Sequence, residues 1–340
     1  MGKVLCFGEL LLRFLPGAGG DWVQKNAMPV YVGGAELNVA TALAKWGIPV
    51  KYLTVLPDNG VSRDIVEHLQ QKGIDTSPVV FGGDRMGIYY LSGGADMKSG
   101  QTVFDRKGSA FSLQPTGQLN WNSILADVSW FHFSAIVPAL SESAALLCKE
   151  ALQQASARNI TISVDLNYRS LLWKYGKRPV DVMPDLVRFC HVIMGNIWSA
   201  NTLLGIPVGD NLSPDSAPVH YAEHASETAK QIFANYESCK WVANTFRFDA
   251  DHQNITYYAS LNTPELQALS PVFQTSSIVD KVGSGDCFMA GLIYGLSQGH
   301  SNAEEVVGFA AAAAFGKLQE RGDATQNSVL QIQKILQSFS

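Results

Sequence analysis

Near the end of the chain runs Ile278-Val-Asp-Lys-Val-Gly-Ser-Gly-Asp-Cys-Phe-Met-Ala-Gly291, whose residue types at this spacing can handle phosphate. Gly283, Ser284 and Gly285 make a tight turn that opens a helix. The first N–H groups of that helix lack intrahelical partners and point outward at the positive end of its dipole. Such a cradle holds a phosphate, or the charge that develops on a transferring phosphoryl group. Asp286 falls in the first turn beside it. A carboxylate there can accept a hydroxyl proton while the cradle holds the phosphoryl group. Taken alone, the same residues also fit an ordinary glycine turn with a capping aspartate. They do not fit a dinucleotide fingerprint, whose third glycine would fall at Phe288, or a P-loop, because no Lys-Ser/Thr pair follows the glycines.

Two further segments carry polar groups where ligands bind. In Val32-Gly-Gly-Ala-Glu-Leu-Asn-Val-Ala-Thr-Ala-Leu-Ala44, Gly33 and Gly34 let the backbone turn sharply or approach a ligand. Asn38, one turn into the following helix, shares a side with Gly34 and offers both donor and acceptor to sugar hydroxyls. A glycine helix entry with a capping asparagine has the same residues. After the apolar run Ile160–Val164, the polar residues Asp165, Asn167 and Arg169 alternate where a strand exits at its carboxyl end. That is the ligand edge of an open α/β sheet, although a solvated loop shares the composition. His220-Tyr-Ala-Glu-His224 matches His-x-x-Glu-His, a zinc-protease pattern. It follows a loop with Pro214 and Pro218 and has no identifiable third ligand downstream, so it reads as a solvated helix start. His68, His132, His191, His252 and His300 are scattered and receive no role.

The elements that must position these residues alternate. Val4–Phe7, Lys51–Val55, Trp130–Ser134, Ile160–Asp165, His191–Gly195 and Trp241–Thr245 read as short strands. Helical patterns cover Glu36–Trp46, Ser62–Lys72, Ser141–Ala157 with Ser141 as N-cap, Ser284–Leu296 and Ala303–Leu318. The last two are almost wholly apolar, and the small-residue run Ala310–Ala314 permits close approach, so both should be buried. Alternation of this kind predicts an α/β fold with a mostly parallel sheet and helices on both faces. Leu11–Gly34 and Met86–Gly108 break the alternation with the strand-like pieces Val30–Val32, Ile88–Leu91 and Val103–Asp105. These could pair as a small β lid outside the main sheet, or stand as edge hairpins.

Composition bounds the function. With 340 residues, 46% of them hydrophobic, the chain can bury about three quarters of its unfolded surface, which excludes disorder. A net charge of −5 and the lack of a Lys/Arg-dense run argue against nucleic acid as the partner. Cys6, Cys148, Cys190, Cys239 and Cys287 are odd in number and never at metal-clip spacing. They indicate a reduced, cytoplasmic chain without disulfides or structural zinc. The apolar start Lys3–Arg13 is interrupted by Glu9 and Arg13, which suits neither a signal peptide nor a membrane span. Position 6 is Cys where myristoylation wants Ser or Thr, and no fixed-period repeat is visible.

In this order, the segments resemble the ribokinase-like (PfkB-type) carbohydrate kinase family over nearly the whole chain. Gly33-Gly-Ala-Glu-Leu-Asn-Val-Ala40 resembles its N-terminal signature, and Asp280-Lys-Val-Gly-Ser-Gly-Asp286 its C-terminal one. Gly87-Ile-Tyr-Tyr-Leu91, Asp105-Arg-Lys-Gly-Ser-Ala110 and Asp165-Leu-Asn-Tyr-Arg169, followed by Leu172-Trp173, resemble its 2-keto-3-deoxygluconate kinase branch. The resemblance implies one Rossmann-like kinase domain over 1–340, with a small β lid from about 11–34 and 86–108 that often serves dimerisation and so implies a homo-oligomer. It implies ATP and Mg²⁺, a monovalent cation, and transfer of the γ-phosphoryl group to a primary hydroxyl of a sugar acid, with a neutral sugar such as fructose, or binding without catalysis, as the alternatives.

By resemblance, Asp286 is the base and Gly283, Ser284 and Gly285 form the anion hole. Gly34, Asn38, Tyr89, Phe104, Arg106 and Arg169 become substrate contacts, joined by Asp165 and Asn167 at the strand exit. Asn196, Thr245, Arg247, Gly322 and Asp323 border the nucleotide. Four positions depart from the family pattern. Ser199 ends Asn196-Ile-Trp-Ser where an acid linked to magnesium is usual. Lys281 replaces Thr, Phe104 replaces a frequent Tyr, and Arg247 replaces Gly. Arg106 and Arg169 together predict a carboxylate on the substrate, since two guanidiniums match its fork and would repel each other if buried without an anion; the alternative is that either arginine binds ATP phosphates or a neighbouring acidic side chain.

Overall fold

A computed structural model describes residues 2–17, 20–91, 102–208, 212, 218–251, 254–299 and 302–339. Parts of the two candidate lid stretches (18–19 and 92–101) lie outside the described residues, as do Pro214, His252 and His300. The ten-stranded main sheet runs Gln267–Leu269, Asn254–Asn262, Trp241–Asp251, Val192–Gly195, Thr161–Asp165, Val128–Ser134, Lys3–Phe7, Val50–Leu53 and Ile74–Asp75, with Phe273–Thr275 also paired to Asn254–Asn262. Every pairing from Trp241–Asp251 across to Ile74–Asp75 is parallel, and the pairings made by Asn254–Asn262 are antiparallel.

Alternation along the strands fills two cores. Val4 and Cys6, with Val192 and Met194, pack on the face covered by helices Ala35–Lys45, Ser284–Ser297 and Ala303–Lys317. Leu5, Phe7, Phe131, Phe133, Ile162, Val164 and Ile193 point to the other face, against helices that include Glu142–Ser156 and Pro179–Val187. Strands buried on both faces read as continuous apolar runs, which is why they stand out in the sequence. Ser141 caps Glu142–Ser156 by accepting from the Ala144 N–H at 3.0 Å, as its spacing predicts. Helices Ser284–Ser297 and Ala303–Lys317 meet so closely that a Cβ on Gly291 would lie 2.6 Å from Ala310 Cα. A larger residue at either point would overpack this contact at a cost of about 1–3 kcal/mol.

Two strand expectations change. Lys51–Val55 is two strands, Val50–Leu53 in the main sheet and Val55–Leu56 paired with Val80–Phe81, separated where Thr54 Oγ1 accepts the Leu10 N–H. Trp241–Thr245 continues to Asp251, because Asn254–Asn262 folds back on it as an antiparallel partner. The strand-like pieces of the two irregular stretches pair with one another in a second sheet, ordered Val30–Gly33, Leu11–Phe14, Gly87–Tyr90, Val103–Asp105. Its Leu11, Tyr89 and Leu91 pack on Val282, beside the glycine turn. No described helix is long and apolar enough to cross a membrane.

Candidate active site

A cavity of about 680 Å³ opens between the carboxyl ends of the parallel strands and the second sheet. Its wall includes Gly34, Asn38, Tyr89, Phe104, Arg106, Asp165, Asn167, Arg169, Asn196, Thr245, Arg247, Gly283, Ser284, Gly285, Asp286 and Asp323. Of the residues expected at the site, only Gly322 is missing from this wall. Its N–H is donated to Asp280 Oδ2 at 3.3 Å, and a Cβ on it would lie 3.5 Å from the Tyr31 ring.

The glycine turn is built for close approach. Gly283 takes φ 79° as N-cap of helix Ser284–Ser297, and a Cβ there would lie 1.7 Å from the Asp323 carbonyl oxygen. Asp286 follows in the first turn, 8% exposed. Asn38, expected to meet a sugar hydroxyl, lines the cavity and donates from Nδ2 to Asp286 Oδ2 at 2.7 Å. The helix carrying it starts at Gly34, whose φ of 145° brings it against the Glu9 carbonyl.

Electrostatics set the protonation of this centre. Burial, with the Glu36 and Asp323 carboxylates nearby, pushes Asp286 up to about 7, against the lowering effects of the Asn38 hydrogen bond and of Arg169. Asp165 is pushed to about 8 by burial and by the charges of Asp286 and Glu36, with Arg169 opposing. A base poised near neutrality suits proton transfer at physiological pH. Glu36 is itself held up by burial. Its Oε1 accepts the Ser134 N–H at 2.8 Å and its Oε2 lies against Gly8, where no side chain would fit.

The arginines differ from expectation. Arg106 is buried and already has a protein anion, since its Nε donates to Glu9 Oε2 at 2.6 Å. Glu9 Oε1 accepts from the Ser109 hydroxyl. For Arg106 the alternative of a neighbouring acidic partner holds in this structure, and its side chain also lines the cavity with Phe104 and Arg169. Arg169 is half-buried and donates from Nη1 to the Tyr168 carbonyl at 3.2 Å. Asp323 does border the cavity, but its carboxylate is engaged elsewhere. It pairs with Arg13 Nε at 2.8 Å and accepts from the Tyr89 hydroxyl at 3.2 Å, so it ties the second sheet to the glycine turn.

A model of the pfkB family of carbohydrate kinases matches residues 1–244 and 251–329. The chain belongs to this family. Along its length it is similar to a 2-dehydro-3-deoxygalactonokinase of Haloferax volcanii, 27% identical over 98% of this chain and 96% of that protein. It is also similar to the 2-dehydro-3-deoxygluconokinase of Bacillus subtilis, 24% identical over 93% and 90%. The crystal structure of a 2-dehydro-3-deoxygluconokinase from Thermotoga maritima superimposes with a TM-score of 0.88, at 32% identity, over 99% of this chain and 100% of that one.

In this pfkB carbohydrate kinase the acid usual in Asn-x-x-Glu is absent. Asn196 Oδ1 caps its helix by accepting from the Ser199 N–H at 2.8 Å and the Ser199 hydroxyl at 3.1 Å. No three His, Cys, Asp or Glu side chains cluster as a metal cage among the described residues. The residues beneath the glycine turn do not fit a small monovalent cation. There Asp280 accepts from Arg13 Nη2 at 2.9 Å and from the Val282 N–H at 3.0 Å, and the Lys317 ammonium is already buried. Glu9, Glu36 and Tyr257 escaped the reading of the sequence. Tyr257 lines the cavity with its buried hydroxyl unpartnered among the described residues, and burial raises it well above the usual phenol value. The signal for Glu9 was a charge inside an apolar run, and for Glu36 its place between Gly34 and Asn38. The His220-to-His224 stretch lies on helix Pro218–Asn235, and His220 is exposed.

Proposed function

We propose that the chain transfers the γ-phosphoryl group of ATP to the primary hydroxyl of a 2-keto-3-deoxy sugar acid, with 2-keto-3-deoxygluconate as the substrate. The observation that carries this reading is Asp286 locked by Asn38 beside the glycine turn, in one cavity with Arg106 and Arg169. The similarity to enzymes named for 2-dehydro-3-deoxy sugar acids supports the substrate class.

Asn38 fixes one carboxylate oxygen of Asp286, and the other faces the substrate hydroxyl. That carboxylate takes the hydroxyl proton as the oxygen attacks the γ-phosphorus. The new O–P bond forms while the bond to the bridging oxygen of ADP breaks. The N–H groups at Gly283–Gly285 face the equatorial phosphoryl oxygens, where negative charge must be held through the transition state. Arg106 and Arg169 engage the carboxylate at the other end of the substrate, so the acid end orients the hydroxyl toward Asp286.

The test is a coupled ADP-release assay across 2-keto-3-deoxygluconate, its galactonate epimer, gluconate, fructose and ribose. Highest kcat/KM for a 2-keto-3-deoxy acid is expected. A preference for fructose or ribose would overturn the acid reading, and no ADP release with any sugar would overturn the activity itself.

A further inference from the structure

Lys317 ends helix Ala303–Lys317 and is completely buried, one of the largest side chains in the protein with no exposure. Its Nζ donates to the Glu320 carbonyl at 3.1 Å, and its Cε lies 3.5 Å from where a Cβ on Gly283 would sit. The side chain therefore runs past Gly283, and Lys317 is not among the residues that line the cavity. Three carboxylates lie close to it, of which Asp323 also borders the cavity. Asp280 is pinned by Arg13 and the Val282 and Gly322 N–H groups, and Asp323 by Arg13 and Tyr89. Glu320 accepts from the Thr325 hydroxyl at 2.8 Å and the Gln326 N–H at 3.1 Å. Against three carboxylates, Arg13 alone leaves this group more negative than Arg13 and Lys317 together, and a negative field beside an anion hole opposes the charge the hole must hold.

Burial of an ammonium is costly and needs a compensating gain. Burial lowers the Lys317 pKa, and Asp280, the Cys287 thiol, Glu320 and Asp323 oppose that effect and favour the charged form. A Met or Leu at this place would pack as well against Gly283 and leave only one backbone carbonyl without its donor. The charge is the feature that packing does not explain.

We propose that Lys317 is the resident cation of the anion hole: its buried ammonium partly offsets the carboxylates around Gly283–Ser284–Gly285 and makes phosphoryl transfer independent of any added monovalent cation. Lys317 touches no substrate and acts through the turn. The inference rests on the phosphotransferase activity, and not on which sugar is used.

The test compares wild type, Lys317→Ala and Lys317→Met, on the best sugar of the panel, in potassium, ammonium and tetramethylammonium salts at one ionic strength. Wild-type kcat should be the same in all three. Both variants should lose about 10- to 100-fold in kcat, with a smaller change in the KM for the sugar. Potassium or ammonium, but not tetramethylammonium, should restore part of the loss in Lys317→Ala, whose cavity can admit them. Without substrates, ammonium should raise the melting temperature of Lys317→Ala more than tetramethylammonium does, and leave wild type unmoved. If Lys317→Ala does not fold, the volume-conserving Lys317→Met decides. Wild-type kcat in a folded Lys317→Met, an Ala variant whose loss ignores the identity of the salt, or a wild type that requires potassium would each overturn the proposal. An inactive wild type would instead count against the proposed function.

Discussion

In the proposed reaction the chemistry turns on Asp286, and its surroundings make two measurable demands. Asp286→Asn removes the proton acceptor while keeping a side chain that can still pair with Asn38. It should lower kcat by about 10²–10⁴ and leave ATP binding, measured by calorimetry, nearly unchanged. A variant keeping half of the wild-type rate would show that another group takes the proton. Asp165 is the second demand. Asp286 and Asp165 are raised from 3.8 to about 7 and about 8, so the folded protein keeps protons there that the unfolded chain has released. Stability from these groups is full below 3.8 and is lost as pH rises through about 7 to 8. Asp165→Asn removes one buried negative charge facing Asp286, with Glu36, Arg169 and Asp323 left in place. Its melting temperature should gain on wild type as pH rises from about 5 to about 9. The acid limb of its kcat profile should stay with that of wild type, because Asp165, pushed higher than Asp286, is still protonated and uncharged while Asp286 ionises. A limb that moves would mean that Asp165 already carries its charge when Asp286 titrates.

At the scale of elements, local signals were legible and non-local pairing was not. The glycine turn, the Ser141 cap and the two apolar C-terminal helices each announce themselves within a few residues, and each stands as expected. Strand Asn254–Asn262 went unread because its polar and aromatic residues acquire meaning only when it folds back on Trp241–Asp251. Asn38 was placed correctly on its helix, yet its partner Asp286 is 248 residues away, so the hydrogen bond that gives it its role could not be read locally. Glu9 and Arg106 likewise meet across 97 residues. The start of helix Ile197–Leu204 is a case where a local departure makes a testable statement. Ser199 closes the Asn196 cap by hydrogen bonding instead of presenting a carboxylate. Magnesium on ATP phosphates keeps several waters, so a single carboxylate at position 199 would adjust affinity without deciding activity. Chelating the metal should abolish turnover in wild type, and Ser199→Glu should reach half-maximal kcat at lower free Mg²⁺. Superimposable Mg²⁺ curves would separate position 199 from the metal altogether.

At the scale of the molecule, the second sheet is tied to the main body by buried polar groups that also reach the site. Arg13 from Leu11–Phe14 binds Asp280 and Asp323, Tyr89 from Gly87–Tyr90 binds Asp323, and Arg106, just past Val103–Asp105, binds Glu9. Only when this sheet sits over the carboxyl ends of the strands do Arg106 and Arg169 share a cavity, so selectivity for an acid belongs to the whole architecture. Glu9 compensates Arg106 in the protein, which makes the two arginines unequal. Losing Arg169 removes one charge-assisted interaction with the substrate, worth about 1.5–3 kcal/mol, or roughly 10- to 150-fold in kcat/KM. Losing Arg106 does the same and also leaves Glu9 buried without its partner, a further cost that falls on stability. Arg169→Ala should therefore narrow the preference for 2-keto-3-deoxygluconate over fructose with little change in melting temperature. Arg106→Ala should narrow it as well while lowering the melting temperature, and adding Glu9→Gln to Arg106→Ala should recover part of that stability without recovering the preference. Equal slowing of acid and neutral sugars by both arginine variants would assign them to the nucleotide phosphates instead, and the carboxylate reading would fail with it.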